Sequence, residues 1–209
     1  MTPEGALERG TSELAIALAG DAKQRLLQYA ALLTKWNNTY NLTAIRGARE
    51  IVIQHVLDSL SVLPHLPAGK SLADIGSGSG APGLPIAIAR PDWQVTLNEA
   101  SGKKAAFLRQ AVIELELPNV AVHEGRAEAW QPASRFDVVI SRAFAELSVF
   151  IGICRHLVSA GGWLAAMKGA LPKAELAAVP ADCDCSNVVP IHVPFLDAAR
   201  HLVLCRARS

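Results

Sequence analysis

Apolar positions fall into two regimes along the chain. In the first, Leu26, Ala30, Leu33 and Trp36 recur every three or four residues, which predicts an amphipathic helix over 21–36. Asp21 followed by Gln24 has capping-box spacing at its start. The run Asn37-Asn38-Thr39-Tyr40-Asn41 ends it, because side-chain amides compete for the helix backbone. A second helix is predicted over 48–63, with Ile51, Val52, Val56, Leu60 and Leu63 apolar and Pro64 as its stop. Residues 1–20 are weakly patterned and read as a loosely docked arm. After Pro67-Ala68-Gly69 the pattern changes to short apolar runs at 71–75, 94–97, 120–123, 137–140 and 163–167. Helical stretches at 84–90, 103–117 and 147–158 separate them. Such alternation predicts right-handed crossovers and a mostly parallel sheet, covered on both faces because its strands are apolar throughout. Segments 188–193 and 201–206 lack a crossover helix and read as an antiparallel pair at the sheet edge. The expected fold is α/β: a helical extension over 1–68 and a sheet core over 69–209, in one compact unit.

Composition narrows the function classes. Hydrophobic residues make up 51% of 209, enough for one sizeable core and too many for a disordered chain. Scaling laws put the folded surface at roughly 9,000–10,000 Å². The longest apolar stretches, Leu14–Ala19 and Ile86–Ala89, are too short to span a bilayer. Glu4, Glu8 and Glu13 argue against a signal peptide, so a cytoplasmic location is expected. A net charge of +1 advertises no polyanion partner and leaves that question to local patches. Cys183-Asp184-Cys185 and the lone Cys154-Arg155-His156 lack zinc-site spacing, so the four cysteines read as reduced thiols and no metal is expected.

The chemistry concentrates after the first strand. Asp74-Ile75-Gly76-Ser77-Gly78-Ser79-Gly80 leaves the strand and enters a helix containing Pro82 and Pro85. Glycines there allow a sharp turn and close approach of a ligand to backbone N–H groups. Glu99 ends the next strand, where an acid can accept both hydroxyl protons of a ribose, and Glu128 follows the third strand, where an adenine edge could be met. A nicotinamide dehydrogenase fits poorly: Ala81 stands three residues after Gly78, where its loop has glycine, and few residues remain for a substrate domain. The fourth strand ends in Ser141-Arg142-Ala143-Phe144, without the Asn/Asp-Pro-Pro-aromatic or Pro-Cys motifs of exocyclic-amine or pyrimidine-carbon methylation. Arg142 could fix a cofactor carboxylate or an RNA phosphate, and Phe144 could stack on a base or pack in the core. The lack of an obvious base is compatible with guanine N7, whose lone pair needs no deprotonation.

The loop and its acids resemble Rossmann-like class I S-adenosylmethionine-dependent methyltransferases. More closely, the chain resembles the bacterial small-subunit ribosomal RNA guanine-N7 methyltransferase family (RsmG/GidB). The matching stretches are Lys35-Trp36-Asn37, Tyr40-Asn41-Leu42-Thr43, His55-Val56-Leu57-Asp58-Ser59, Asp74–Gly78, Pro82–Pro85, Phe107-Leu108-Arg109, Ile140–Ala145, Lys168-Gly169 and Arg200–Val203. The resemblance implies methyl transfer from S-adenosyl-L-methionine to one guanine N7 in small-subunit ribosomal RNA, as naked RNA or as an assembled subunit. It places cofactor contacts at Gly76, Ala81, Ala127, Glu128 and Arg142, beside Gly78 and Glu99 from the loop reading. Ala81 stands where a bulkier apolar residue is common, and Gln54 where many members have Arg. His55, Asp58 and Ser59 share a helical face at i, i+3 and i+4. They read either as a polar wall beside the transfer pocket or as a docking contact between helix and sheet. Candidate RNA contacts are Lys35, Arg46, Lys103, Lys104, Arg109, Lys168, Arg200 and the tail Arg206-Ala207-Arg208. A monomer is expected. A small-molecule methyltransferase with a helical lid and a non-catalytic cofactor-binding, ribosome-associated module are the rival readings.

Overall fold

The computed structural model describes residues 1–207; Arg208, a predicted RNA contact, lies outside them. Seven strands form one sheet in the order β3-β2-β1-β4-β5-β7-β6. They are β1 (Ser71–Ile75), β2 (Gln94–Glu99), β3 (Val120–Glu124), β4 (Phe136–Arg142), β5 (Val158–Lys168), β6 (Cys183–Ile191) and β7 (Arg200–Ala207). The first five pair in parallel, and β7 lies antiparallel between β5 and β6. The parallel sheet and its antiparallel edge are as the pattern predicts. The accessible surface, 9532 Å², falls in the range expected for the chain length.

Strand residues alternate between two apolar layers. Leu72, Val95, Leu97, Val138 and Ile140 share one apolar core with α5 (Gly83–Ala89) and α6 (Gly102–Glu114), and with α1 (Pro3–Glu13) and α2 (Ala22–Tyr40) stacked beyond them. Ala73, Ile75 and Val139 face α7 (Leu147–Cys154) on the other side. Both faces are thereby covered, which is why the strands carry no polar alternation. The predicted helix over 48–63 is α3 (Ala48–Ile51), a π-helical turn (Val52–Leu57) and α4 (Asp58–Leu60) in unbroken succession. A short α8 (Lys173–Ala177) precedes β6.

Four local expectations need correction. Residues 3–13 are helical: Thr2 Oγ1 accepts the Gly5 N–H, and Ala6, Leu7, Gly10 and Thr11 are buried. A Cβ at Gly10 would collide with Leu57, so a small residue there lets α1 lie directly on the π turn. The Asp21 carboxylate makes no cap; Arg25 holds it at 2.8 Å while reaching the Leu115 and Glu116 carbonyls. Helix α2 runs on to Tyr40 because the Asn37 amide turns away from its own helix, accepting from Thr43 N–H and donating to Ile45 C=O. Finally, Cys185 and Cys205 form a disulfide at the bulge between β6 and β7, where their Cα atoms come within 4.2 Å. Cys154 and Cys183 are buried and form no disulfide, and burial pushes the Cys154 thiol up to about 12.

Helix α2 is tied to the sheet by one polar contact in an apolar interface. The fully buried Tyr29 donates its hydroxyl proton to the Ser79 carbonyl of the glycine loop at 2.9 Å. Burial raises the Tyr29 pKa, which keeps the hydroxyl a donor. Tyr29→Phe is expected to lower unfolding free energy by about 1–2 kcal/mol, through the orphaned carbonyl. Urea denaturation measures it; an unchanged midpoint would refute the role assigned to this bond.

Candidate active site

The convergent polar side chains lie at the carboxyl edge of the parallel strands, where such sheets bind ligands. Two clefts, of about 790 and 680 Å³, open at the opposite edge. The glycine loop itself is fixed by two acids. Asp74, the penultimate residue of β1, accepts the Gly83 N–H at 2.9 Å with Oδ2. Glu99, at the end of β2, accepts the Gly78 N–H at 2.9 Å and the Ser101 N–H at 2.8 Å with separate oxygens. Between them the chain turns through Gly76, Gly78 and Gly80, all at positive φ. Gly83 is required by space: a Cβ there would run into Leu97 and lie 2.8 Å from Asp74 Oδ2. Among the described residues Asp74 Oδ1 accepts no hydrogen bond and is fully buried, and burial raises the Asp74 carboxyl to about 7.

A second cluster joins the helical extension to the end of β4. Arg142 donates through Nη1 to the Gln54 carbonyl (2.7 Å) and Asp58 Oδ2 (3.0 Å), and through Nη2 to His55 Nδ1 (2.6 Å). Arg200, from β7, donates through Nε to the other Asp58 oxygen at 3.0 Å. The π turn shapes this arrangement. The Asp58 N–H reaches back five residues to Ile53 C=O, and the Gln54 carbonyl accepts from Arg142. Arginine only donates, so His55 Nδ1 must be the acceptor and Nε2 carries the proton, donated to Thr43 Oγ1 at 3.0 Å.

Among the predicted residues, the structure brings His55, Asp58, Arg142 and Arg200 into one cluster and sets Gly78 against Glu99. Ser59 is not part of a wall: its hydroxyl bonds back to the His55 carbonyl, and it is fully buried. Arg142 stands between His55 and Asp58 and bonds to both. Gly76 lies against the Cδ2 edge of the Phe144 ring. Ala81 is buried behind the loop, Ala127 is buried in a 3-10 turn after β3, and Glu128 in that turn is exposed. Lys168, at the end of β5, is held at 2.7 Å by Glu175 and at 2.8 Å by the Ala145 carbonyl. Tyr29, Gln54 and Glu175 were not predicted as site groups. Gln54 acts through its backbone, and Glu175 through a helix too short to show a period. Thr43 has a sequence signal, since it closes the Tyr40-Asn41-Leu42-Thr43 block. No group of side chains suited to a metal ion occurs among the described residues.

Burial first, and Arg142 second, hold the His55 imidazole down to about 3. Between about pH 3 and 6.5 the unfolded chain therefore binds a proton that the folded chain refuses. His55 lowers stability as the pH drops through that window, by up to about 1.4 kcal/mol per unit. Asp74, raised to about 7, acts in the opposite sense below that pH. The informative quantity is thus the stability difference between the native chain and His55→Gln. It should be level above about pH 6.5 and shift against the native chain below it; a pH-independent difference would overturn the assignment.

Comparison with known proteins agrees with this geometry. A family model, GidB, described as rRNA small subunit methyltransferase G, matches residues 22–203. A ribosomal RNA small subunit methyltransferase G from Chromobacterium violaceum is 52% identical over 197 residues, covering 94% of each chain. A predicted O-methyltransferase from Agrobacterium tumefaciens superposes with TM-score 0.56 at 24% identity, over 74% of this chain and 81% of that one. Coclaurine N-methyltransferase, solved with N-methylheliamine and SAH, gives TM-score 0.57 at 14% identity, over 90% and 65%. The two solved structures share the class I methyltransferase fold, and the family match spans nearly the whole sheet and its extension. The chain belongs to the GidB family, the rRNA small subunit methyltransferases G.

Proposed function

We propose that the chain transfers a methyl group from S-adenosyl-L-methionine to N7 of a guanine in small-subunit ribosomal RNA, acting as a monomer in the cytoplasm. One observation carries this reading. The His55–Asp58 motif, foreign to methyltransferases in general, is bonded to Arg142 at the end of β4, a strand paired with β1 and its glycine loop. No helix among the described residues is long and apolar enough to cross a membrane. The exposed large apolar side chains, among them Tyr40, Ile113, Val149 and Phe195, are scattered over different elements.

The residues present fit the cofactor. Glu99 uses one lone pair per oxygen on the loop, which leaves acceptors for two ribose hydroxyls. Three of the five Arg142 donors are engaged, which leaves two for a carboxylate. When bound, the cofactor supplies a methyl group on a sulfonium sulfur, which the N7 lone pair takes as the C–S bonding pair stays on sulfur. The base gains the positive charge, and no proton leaves. The surrounding residues match that lack of demand, since the His55 imidazole is occupied by Arg142 and Thr43 and is not free to act as a base. What the chain contributes is position, and holding two reactants in line is worth about 7–11 kcal/mol at best.

Ion pairing sorts the basic residues. Arg109, Lys168 and Arg200 are paired with Glu124, Glu175 and Asp58. Lys35, Arg46, Lys103 and Lys104 form no ion pair among the described residues. Lys103 Nζ lies 5.2 Å over the ring of the exposed Tyr40, at the start of α6 beside Ser101 and Glu99. Arg46 leans on Asn41 at the end of the same helix as Tyr40. This rim is the proposed RNA contact, and Lys168 is assigned instead to holding the loop after β4.

Glu99→Gln is expected to weaken S-adenosylmethionine binding by about 1–3 kcal/mol, measured by calorimetry, and unchanged affinity would refute the ribose assignment. Lys103→Ala with Lys104→Ala should weaken RNA binding and flatten its salt dependence by about two charges' worth, whereas Lys168→Ala should leave that slope intact. Methyl-labelled cofactor with undermethylated small subunits tests the reaction itself: label at guanine N7 supports it, and label only on small acceptors refutes it.

A further inference from the structure

We propose that Phe144 is the platform on which the acceptor guanine stacks, a specificity-determining role that rests on the reaction assigned above. Phe144 is two residues past Arg142, where the chain leaves β4 beside the glycine loop of β1. The Cδ2 side of its ring packs against Gly76, so closely that a Cβ on that glycine would be 2.8 Å from Phe144 Cδ2. It is 36% exposed, although an apolar core is within reach: its ring meets the buried Phe150 edge-on at 6.4 Å.

The backbone holds the ring there. Ala143 is left-handed, with φ 55°, a conformation disfavoured for a residue with a Cβ and kept only where neighbours enforce it. On one side Arg142 is locked by His55, Asp58 and Gln54. On the other, Lys168 holds the Ala145 carbonyl and Glu175 Oε2 accepts the Leu147 N–H at 2.6 Å. A short segment anchored at both ends thus presents one aromatic ring at the mouth of the transfer site.

The chemistry of the acceptor explains why an aromatic ring suits this place. The N7 lone pair lies in the plane of the base, so the methyl must approach along that plane. A residue that grips the π-face fixes the plane and leaves the lone pair clear. Phenylalanine does this without a donor that could hydrogen-bond N7 and withdraw the nucleophile, and stacking on aromatic side chains is a general way of holding an unstacked base.

The test compares Phe144→Ala, Phe144→Leu and Phe144→Trp as full chains with undermethylated small subunits. The Ala and Leu variants should lose at least tenfold in kcat/KM for the RNA, while Trp stays within about threefold of the native chain. All three should keep the native melting temperature and calorimetric cofactor affinity. Native activity in the Leu variant would overturn the proposal, because bulk without a π-face would then suffice. Parallel losses of activity and cofactor affinity would also overturn it, marking the ring as a cover for the cofactor. Failure of the native chain to label guanine N7 is a separate result and refutes the reaction instead.

Discussion

The structure turns on a buried carboxylate shared by two guanidinium groups. Asp58 is almost wholly inaccessible, and its oxygens are divided between Arg142 of β4 and Arg200 of β7. Two cations on one anion leave this cluster with an excess of one positive charge. Removing either arginine would leave Asp58 poorly compensated, and breaking a buried pair of this kind generally costs about 3–5 kcal/mol. The same carboxylate fixes three things together: the seat of the helical extension, the aim of Arg142, and the closure of the antiparallel edge. Neutral His55 adds a contact to Arg142 without adding charge.

The glycine loop follows a different logic. Its ties are short and made to backbone N–H groups, from Asp74 and Glu99, so these acids shape the loop. Phe144 closes the other side of Gly76. With the roles proposed above, cofactor and acceptor would meet at one glycine, between a loop set by hydrogen bonds and a ring held by a left-handed residue.

Much of this was legible in the sequence where one signal dominated. The parallel strands showed as continuous apolar runs, and the loop as glycines between acids at strand ends. Expectations failed where several weak terms compete. Helix α1 buries one large apolar residue, Leu7, among the small residues Ala6, Gly10 and Thr11, and Gly10 lets it approach Leu57. The end of α2 was misread because an Asn side chain has two uses, and only the later loop decides between them. The clamp on Asp58 was half legible: its spacing flagged one face, but the π turn and the role of Arg200 depend on contacts distant in sequence. The disulfide required the register of β6 against β7, including a bulge, which thiol spacing does not encode.

Chain order gives the clamp a timing. Asp58 precedes Arg142 by 84 residues and Arg200 by 142, whereas the acids that shape the glycine loop act across 9 and 21 residues. The loop can take its form from near neighbours while synthesis is under way. Arg142 reaches one oxygen of Asp58 from β4, but the other is engaged only once the last strand has inserted between β5 and β6. A nascent or truncated chain would thus carry a shaped loop and a half-engaged carboxylate, and the clamp would close only when β7 is in place.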